Sequence, residues 1–258
     1  MFASLRSLAL AAFALCLSLF VSLLTPLFHA LTAYMARSGL LRTAYAFPEG
    51  SKFFFSNTFA AAKTLSAMSN ANPTVATSVA HGYVDNDELL LTSGWEDATD
   101  TVWKADQLTA DTFGLLGLDT TDTSFYAIGG GANSTAQKIS GWTEIPQVLT
   151  ISSNGGDPRY STINPLARRN GINVPTGFNP TSITLTMGHD ASNAVYQTML
   201  GISRKLSKVA FKMQLSGGAV TYGYGYMATS EMPSMNVNQA NQVTCALSLL
   251  GRSISYAS

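Results

Sequence analysis

Charge is scarce in this chain. Only 12% of its 258 residues are Asp, Glu, Lys or Arg, and 15 basic side chains balance 15 acidic ones. Without net positive charge it lacks the electrostatic grip of a nucleic-acid-binding domain, and without a negative excess it lacks a solubilising acidic tail. Cysteine is rarer still: Cys16 and Cys245 cannot make a disulfide framework. His29, His81 and His189 stand far apart, with no Cys, His or Glu at ligand spacing. There is no G-x-S-x-G elbow. The run Gly129-Gly130-Gly131 has no Gly-Lys-Ser/Thr after it and reads as a flexible linker, not a phosphate loop. Asp85, Asp87 and Glu88, with Asp97 and Asp100, lack the central Gly and the Glu at position 12 of a calcium loop, and read as exposed turn carboxylates. Trp95, Trp103 and Trp142 have no interleaved Lys or Arg, so they read as core aromatics and not as a base-stacking platform. His189-Asp190 reads as a strand-to-helix junction. No catalytic, cofactor-binding or metal-ligating residue is expected, and no enzyme.

Glycine is absent from the first 34 residues, whereas all 21 glycines lie in the remainder. Those 34 residues hold 25 hydrophobic side chains and one charge, Arg6. Ser7 to Thr25 approaches the roughly 20 residues needed to cross a bilayer core. Three readings stand side by side. The segment is a membrane anchor; or it is a secretory signal with Ala44-Tyr45-Ala46 as a small-x-small cleavage site; or translation starts at Met35 and the segment is no part of the mature protein.

From Met35 onward the chain is rich in Thr, Ser, Gly and Asn, with short alternating runs that mark half-buried strands. Ile183, Leu185 and Met187 share one face of a strand whose other face, Ser182, Thr184 and Thr186, is all hydroxyl. Gln147 to Ile151 is a second strand. Val209 to Leu215, a Gly217-Gly218 turn and Val220 to Tyr226 form a hairpin, and Val243 to Leu249 is the last strand. Gly223 and Gly225 on one strand face predict close approach of a neighbour. Ala191, Val195, Met199, Ile202 and Leu206 recur on one helical face, with Asp190 as N-cap. This is a mainly antiparallel sheet with one packed helix. Between them, residues 152–180 form a long loop, which suggests an interaction arm. Strand-like runs spaced about ten residues apart, from Thr74 to Ile128, predict a small inserted β-barrel over 72–138. The main domain is then 35–71 together with 139–258, with Lys52 to Phe55 and Ala62 to Ser66 as strands of its sheet.

The segment Gly141-Trp142-Thr143-Glu144-Ile145, then Val148-Leu149-Thr150-Ile151-Ser152 and Gly155-Gly156-Asp157-Pro158, resembles a pattern of lambda-type phage major tail tube proteins. The likeness continues in Ser182 to Met187 with the helix after Asp190. It includes the ending Glu231 to Gln239 with Leu249-Leu250-Gly251-Arg252, and the opening Glu49 to Phe55. The inserted module resembles a small barrel of many phage structural proteins, similar to a β-module of ubiquitin-activating enzymes and without catalytic residues. The resemblance covers about residues 36–258. It implies a β-sandwich tail-tube fold, six-fold rings stacked around a tape-measure protein, tail tip and terminator proteins as further partners, and viral DNA passing through without specific binding. It also implies assembly in the host cytoplasm and residence in the virion tail, with no cofactor. The first 34 residues depart from the family, which favours a start at Met35. Trp142, Gly155, Gly156, Asp157, Arg159, Arg168, Arg169 and Gly171 are then expected at the contact with a neighbouring subunit or ring. The small barrel is expected outside the tube, where its removal should spare polymerisation. The competing reading is a membrane-anchored or secreted β-domain that binds a cell-surface carbohydrate.

Overall fold

The computed structural model describes residues 49–257. The apolar segment 1–34, the Met35 start and the Ala44-Tyr45-Ala46 motif lie outside the described residues. Among the described residues no helix is long and apolar enough to cross a membrane.

The described residues run through eighteen strands, one α-helix and a short 3-10 turn at Glu96–Ala98. They are β1 (Lys52–Ser56), β2 (Thr58–Phe59), β3 (Lys63–Leu65), β4 (Ala67–Met68), β5 (Thr74–Thr77), β6 (Glu88–Thr92), β7 (Thr101–Gln107), β8 (Thr112–Leu115) and β9 (Ser134–Ser140). There follow β10 (Thr143–Glu144), β11 (Val148–Asn154), β12 (Pro158–Ile163), β13 (Ile172–Phe178), β14 (Ser182–Gly188), α1 (Ala194–Arg204), β15 (Lys208–Gln214), β16 (Val220–Thr229), β17 (Gln242–Leu249) and β18 (Ile254–Tyr256). Among the described residues the fold is mainly β, antiparallel throughout its ladders, with one α-helix.

The main sheet has the order β10-β1-β15-β16-β17-β14-β11, with β18 paired to β16. Its first and last strands, β10 and β11, are consecutive in sequence and separated by three residues, a span of roughly 14 Å at most. The sheet must therefore roll until its two edges nearly meet. Inside the roll, Phe53, Phe55, Leu185, Val209, Phe211, Met227, Val243 and Cys245 close around Tyr196, Met199 and Ile202 of α1. The alternation seen in the sequence is this division: Leu185 and Met187 are buried while Thr184 and Thr186 lie on the outer face. Gly223 and Gly225 are sites of close approach, as expected. A Cβ on Gly225 would lie 1.9 Å from the Ser248 carbonyl oxygen, and one on Gly223 would lie 2.8 Å from Leu249.

The helix is shorter than its sequence pattern. Asp190 spends its carboxylate on the Ser192 backbone N–H (2.9 Å) and hydroxyl (2.6 Å) in a local turn. Asn193 is the actual N-cap, accepting from the Val195 N–H at 2.9 Å. Ala191 therefore precedes the helix and is exposed, whereas Val195 is half-buried and Met199 and Ile202 are buried. Leu206 lies beyond the helix at φ +50°, 70% exposed, where the chain reverses into β15. A left-handed residue after the C-cap is the usual way to close a helix, and here it removes Leu206 from the apolar face.

The second sheet, β2-β9-β6-β7-β8-β5-β4, closes on itself. Lys63 to Met68 is nearly one continuous strand, whose first half (β3) pairs with β9 and whose second half (β4) pairs with β5. The result is a small barrel filled by Leu65, Leu89, Leu91, Trp95, Trp103, Phe113 and Leu115. Its extent corrects the expected boundaries. Ala62 to Ser66 belongs to this barrel and not to the main sheet. The closing strand is β9, whereas Ser124 to Ile128 forms turns that expose Phe125 and Ile128. Gly129 to Gly131 is a packed turn, whose Gly131 carbonyl accepts the Ser134 hydroxyl at 2.8 Å. β18 was also not expected.

The barrel lies within the same compact unit as the main sheet. Leu90, Val102 and Ile139 pack on Ala210, Tyr222 and Tyr224 of the outer face of β15 and β16. Deleting the barrel would bare this apolar patch, so it is not a detachable module.

Candidate assembly surfaces

The segment expected as a long loop and interaction arm, residues 152–180, is a β-ribbon. After β11 the chain bends at Gly155 (φ +92°) and Gly156 (φ +79°) and continues as β12; β13 returns and bends through Pro180 into β14. Hydrogen bonds from Gly156 N–H to the Asn179 carbonyl and from Asn179 N–H to the Asp157 carbonyl carry the pairing across the bend. β11–β12 and β13–β14 are thus one two-stranded ribbon with a crease. Gly155 is required at that crease because a Cβ there would sit 2.0 Å from the Pro180 carbonyl oxygen. β12 and β13 are exposed almost throughout, including Tyr160, Ile163, Ile172, Val174 and Phe178, with Leu166 at the tip. An isolated two-stranded hairpin is marginal in water.

Of the eight residues expected at a subunit contact, the structure gathers seven on this arm. Gly155, Gly156 and Asp157 form the crease. Arg159 lies opposite Gly177 on β12–β13. Arg168, Arg169 and Gly171 lie in the tip, and none of the three arginines makes an ion pair among the described residues. Trp142 is elsewhere. It sits beneath the small barrel, its indole N–H donating to Glu88 and the Lys212 ammonium 4.5 Å from its ring centre.

Glu88 is the residue that sequence reasoning misjudged. Expected as an exposed turn carboxylate, it is half-buried and accepts from the Tyr222 hydroxyl (2.6 Å), the Lys212 ammonium (3.2 Å) and Trp142. Burial, then the hydrogen bond and charge of Glu88, push the Tyr222 phenol well above its ordinary pKa. A second tie is Tyr256 of β18, whose hydroxyl accepts from Lys104 N–H and donates to the Leu116 carbonyl, each at 2.9 Å. Burial raises its pKa to about 12. The available signal was Glu88 and Leu90 at alternate positions of one strand, which puts them on one face.

The other acidic groups have local duties. Asp85 accepts from Gln107 N–H, Asp87 pairs with Lys138 at 2.7 Å, and Asp97 lies 3.9 Å from Arg252. His81 is buried, accepting from Tyr83 N–H at Nδ1 and facing the Thr109 carbonyl at Nε2. Among the described residues no three His, Cys, Asp or Glu converge as metal ligands.

Two surfaces remain unpartnered. β11 is an edge strand, and all its residues after Val148 are exposed. On the outer face of β11, β14 and β17, the registers align three rows: Thr150, Thr186 and Thr244; Ser152, Thr184 and Ala246; Asn154, Ser182 and Ser248. Eight of these nine side chains are hydroxyls or amides, and none is charged.

Charge is concentrated elsewhere. Residues 58–140 carry ten acidic and three basic side chains, whereas the other described residues carry five acidic and nine basic. The neutral total conceals an acidic barrel and a basic main domain.

A β fold with an open edge strand and a bare arm has the surfaces of a subunit that assembles. The family model for "phage tail tube protein, TTP" matches residues 93–258, and the chain belongs to that family. It is a tail tube protein and a component of the virion tail. Among solved structures, the chain is similar to the SPP1 tail tube determined by solid-state NMR and cryo-EM. Identity is 14% and the TM-score 0.37, over 46% of this chain and 70% of that one. No curated protein matches.

Proposed function

We propose that this chain is the major subunit of a phage tail tube. Six copies form a ring, rings stack around a tape-measure protein, and the viral genome later passes along the bore. Tail tip and terminator proteins close the two ends, and assembly takes place in the host cytoplasm. Membership of the tube family supports the assembly itself, and the observation that carries the reading is the creased arm. It exposes apolar side chains and three unpaired arginines on a hairpin too small to be stable alone. Such an element gains its stability from a surface that covers it, and a neighbouring subunit or ring supplies one. The open edge of β11 offers a second contact, since strand addition removes exposed edges. The small barrel stands on the outside of the tube.

Negative-stain microscopy of the full chain and of the chain begun at Met35 tests this reading. Rings or hollow tubes are expected. A monomer at every concentration, from both starts, would overturn it.

A further inference from the structure

The rolled sheet has an outer face with two unlike halves. Over β1, β15 and β16 it presents Ala210, Tyr222 and Tyr224 with Lys208 and Lys212 beside them, and is capped by the acidic barrel. Over β17, β14 and β11 it is the hydroxyl grid. Because the sheet rolls until β10 and β11 are three residues apart, the two halves look away from each other. We infer that the grid is the wall of the bore, and that it faces duplex DNA as a charge-free, hydrated surface that offers the polyanion no site to hold. This rests on the tube reading above and adds which face points inward.

Three observations carry it. First, an exposed sheet face of this size ordinarily carries Lys, Glu or Arg, yet all nine positions are uncharged. The nearest cation across the ladder is Lys208, two strands away beyond Tyr226, and its ammonium lies over the rings of Tyr224 and Tyr226. Second, affinity for DNA comes chiefly from cations neutralising phosphates, and each such contact is a brake on a strand in transit. Short Thr and Ser side chains keep a water layer and provide no such contact. Third, the chain does not lack charge: it places ten acidic groups on the barrel, on the opposite side. If the barrel is outside, the grid is inside.

The test uses the full chain with Cys16→Ser, which leaves Cys245. That thiol is fully buried and pushed up to about 11, so it reacts slowly. Thr244→Cys reports on the grid, with Ser248→Cys as a second position should the first fail to assemble; Val79→Cys, on the exposed barrel surface, is the control. In dissociated subunits all three should react with both a small maleimide and a 5-kDa polymer maleimide. In assembled tubes the small reagent should reach every position, while the polymer labels Val79→Cys and at least tenfold less of the grid cysteine. Equal polymer labelling would put the grid outside and overturn the inference. Exclusion of the small reagent would make the grid a subunit contact and also overturn it. Failure of the unsubstituted chain to assemble would instead remove the tube reading on which the inference rests. A second readout is co-sedimentation with short duplex DNA. Unsubstituted tubes should leave it in the supernatant, and Thr184→Lys/Thr244→Lys tubes should retain it at low salt and release it at high salt. Retention by unsubstituted tubes would refute the neutral wall.

Discussion

Glu88 of the small barrel accepts the hydroxyl proton of Tyr222 in the main sheet at 2.6 Å, across 134 residues of sequence. The same carboxylate serves Lys212 and Trp142, so three donors from one domain converge on one acceptor from the other. Removing the acceptor of this half-buried cluster leaves three donors without their partner, at a cost of about 2 kcal/mol. Glu88→Ala should lower unfolding stability by about that amount, and Tyr222→Phe by about 1.5 kcal/mol. The double variant should cost less than the sum, because the two residues share one interaction. Urea unfolding at neutral pH measures all three; a loss below about 0.5 kcal/mol for Glu88→Ala, the range of ordinary surface changes, would remove the tie.

Alkali should loosen the same junction, through Tyr256, and the barrel core, through Tyr83. Burial pushes Tyr256 up to about 12, and burial with the charge of Asp87 does the same for Tyr83. A phenol whose pKa is raised by folding stabilises the fold fully below its unfolded value near 10, and this contribution is lost as pH rises toward 12. Stability should therefore fall through the window from pH 10 to 12. Tyr256→Phe should flatten that decline while lowering stability at pH 7. An equally steep alkaline decline in the variant would show that Tyr256 does not contribute.

Gly155→Ala should separate folding from assembly. Its Cβ would meet the Pro180 carbonyl at 2.0 Å, and φ +92° is costly for alanine, together on the order of 2–3 kcal/mol of local strain. The ribbon relieves this by straightening, away from both hydrophobic cores. Thermal melting of the monomer should change little, while polymer yield by sedimentation should drop severalfold. Unchanged yield would show that the crease does not matter.

The arm arginines should act only between subunits. Arg168→Glu/Arg169→Glu changes exposed, unpaired groups, so monomer stability should stay within about 0.5 kcal/mol. Polymer yield should fall, and replacing residues 156–179 by a two-residue turn should leave soluble monomer. Tubes at normal yield from the deleted chain would show that the arm is dispensable.

Met199 tests the core of the roll. It is fully buried between the sheet and the rest of α1, so Met199→Ala should cost about 2–5 kcal/mol. Thr198→Ala, one position earlier and exposed, should cost less than about 1 kcal/mol. Similar losses from both would contradict the assigned helix face.

The strands of the main sheet were legible because period-two alternation survives wherever one face is covered, as in Ile183-Leu185-Met187 and Val209-Phe211-Met213. The strands of the arm were not, because β12 and β13 cover neither face. Ser161-Thr162 and Asn173-Val174 show no apolar stripe, and the arginines and glycines read as loop. The helix start was displaced by three residues since Asp190 and Asn193 are both competent caps, and only the turn with Ser192 decides between them. Glu88 was misread for a different reason. A carboxylate beside Asp85 and Asp87 looks like turn chemistry, and its partners Tyr222 and Lys212 are more than 120 residues away. The charge division between the domains was present in the sequence but hidden by a total of zero, and it emerges once the barrel has its true bounds.

That division reaches beyond a single subunit. On the proposed arrangement, a filament clad in barrels with ten acidic and three basic side chains each would behave as a like-charged rod in suspension. At 0.1 M salt its field extends about 10 Å into the solvent, enough to keep neighbouring rods from sticking side by side. The same cladding would repel free nucleic acid. With the barrels outward, as proposed, the acidic barrel would act as a colloidal stabiliser that keeps each filament solitary until screening ions or a cationic surface draw it in.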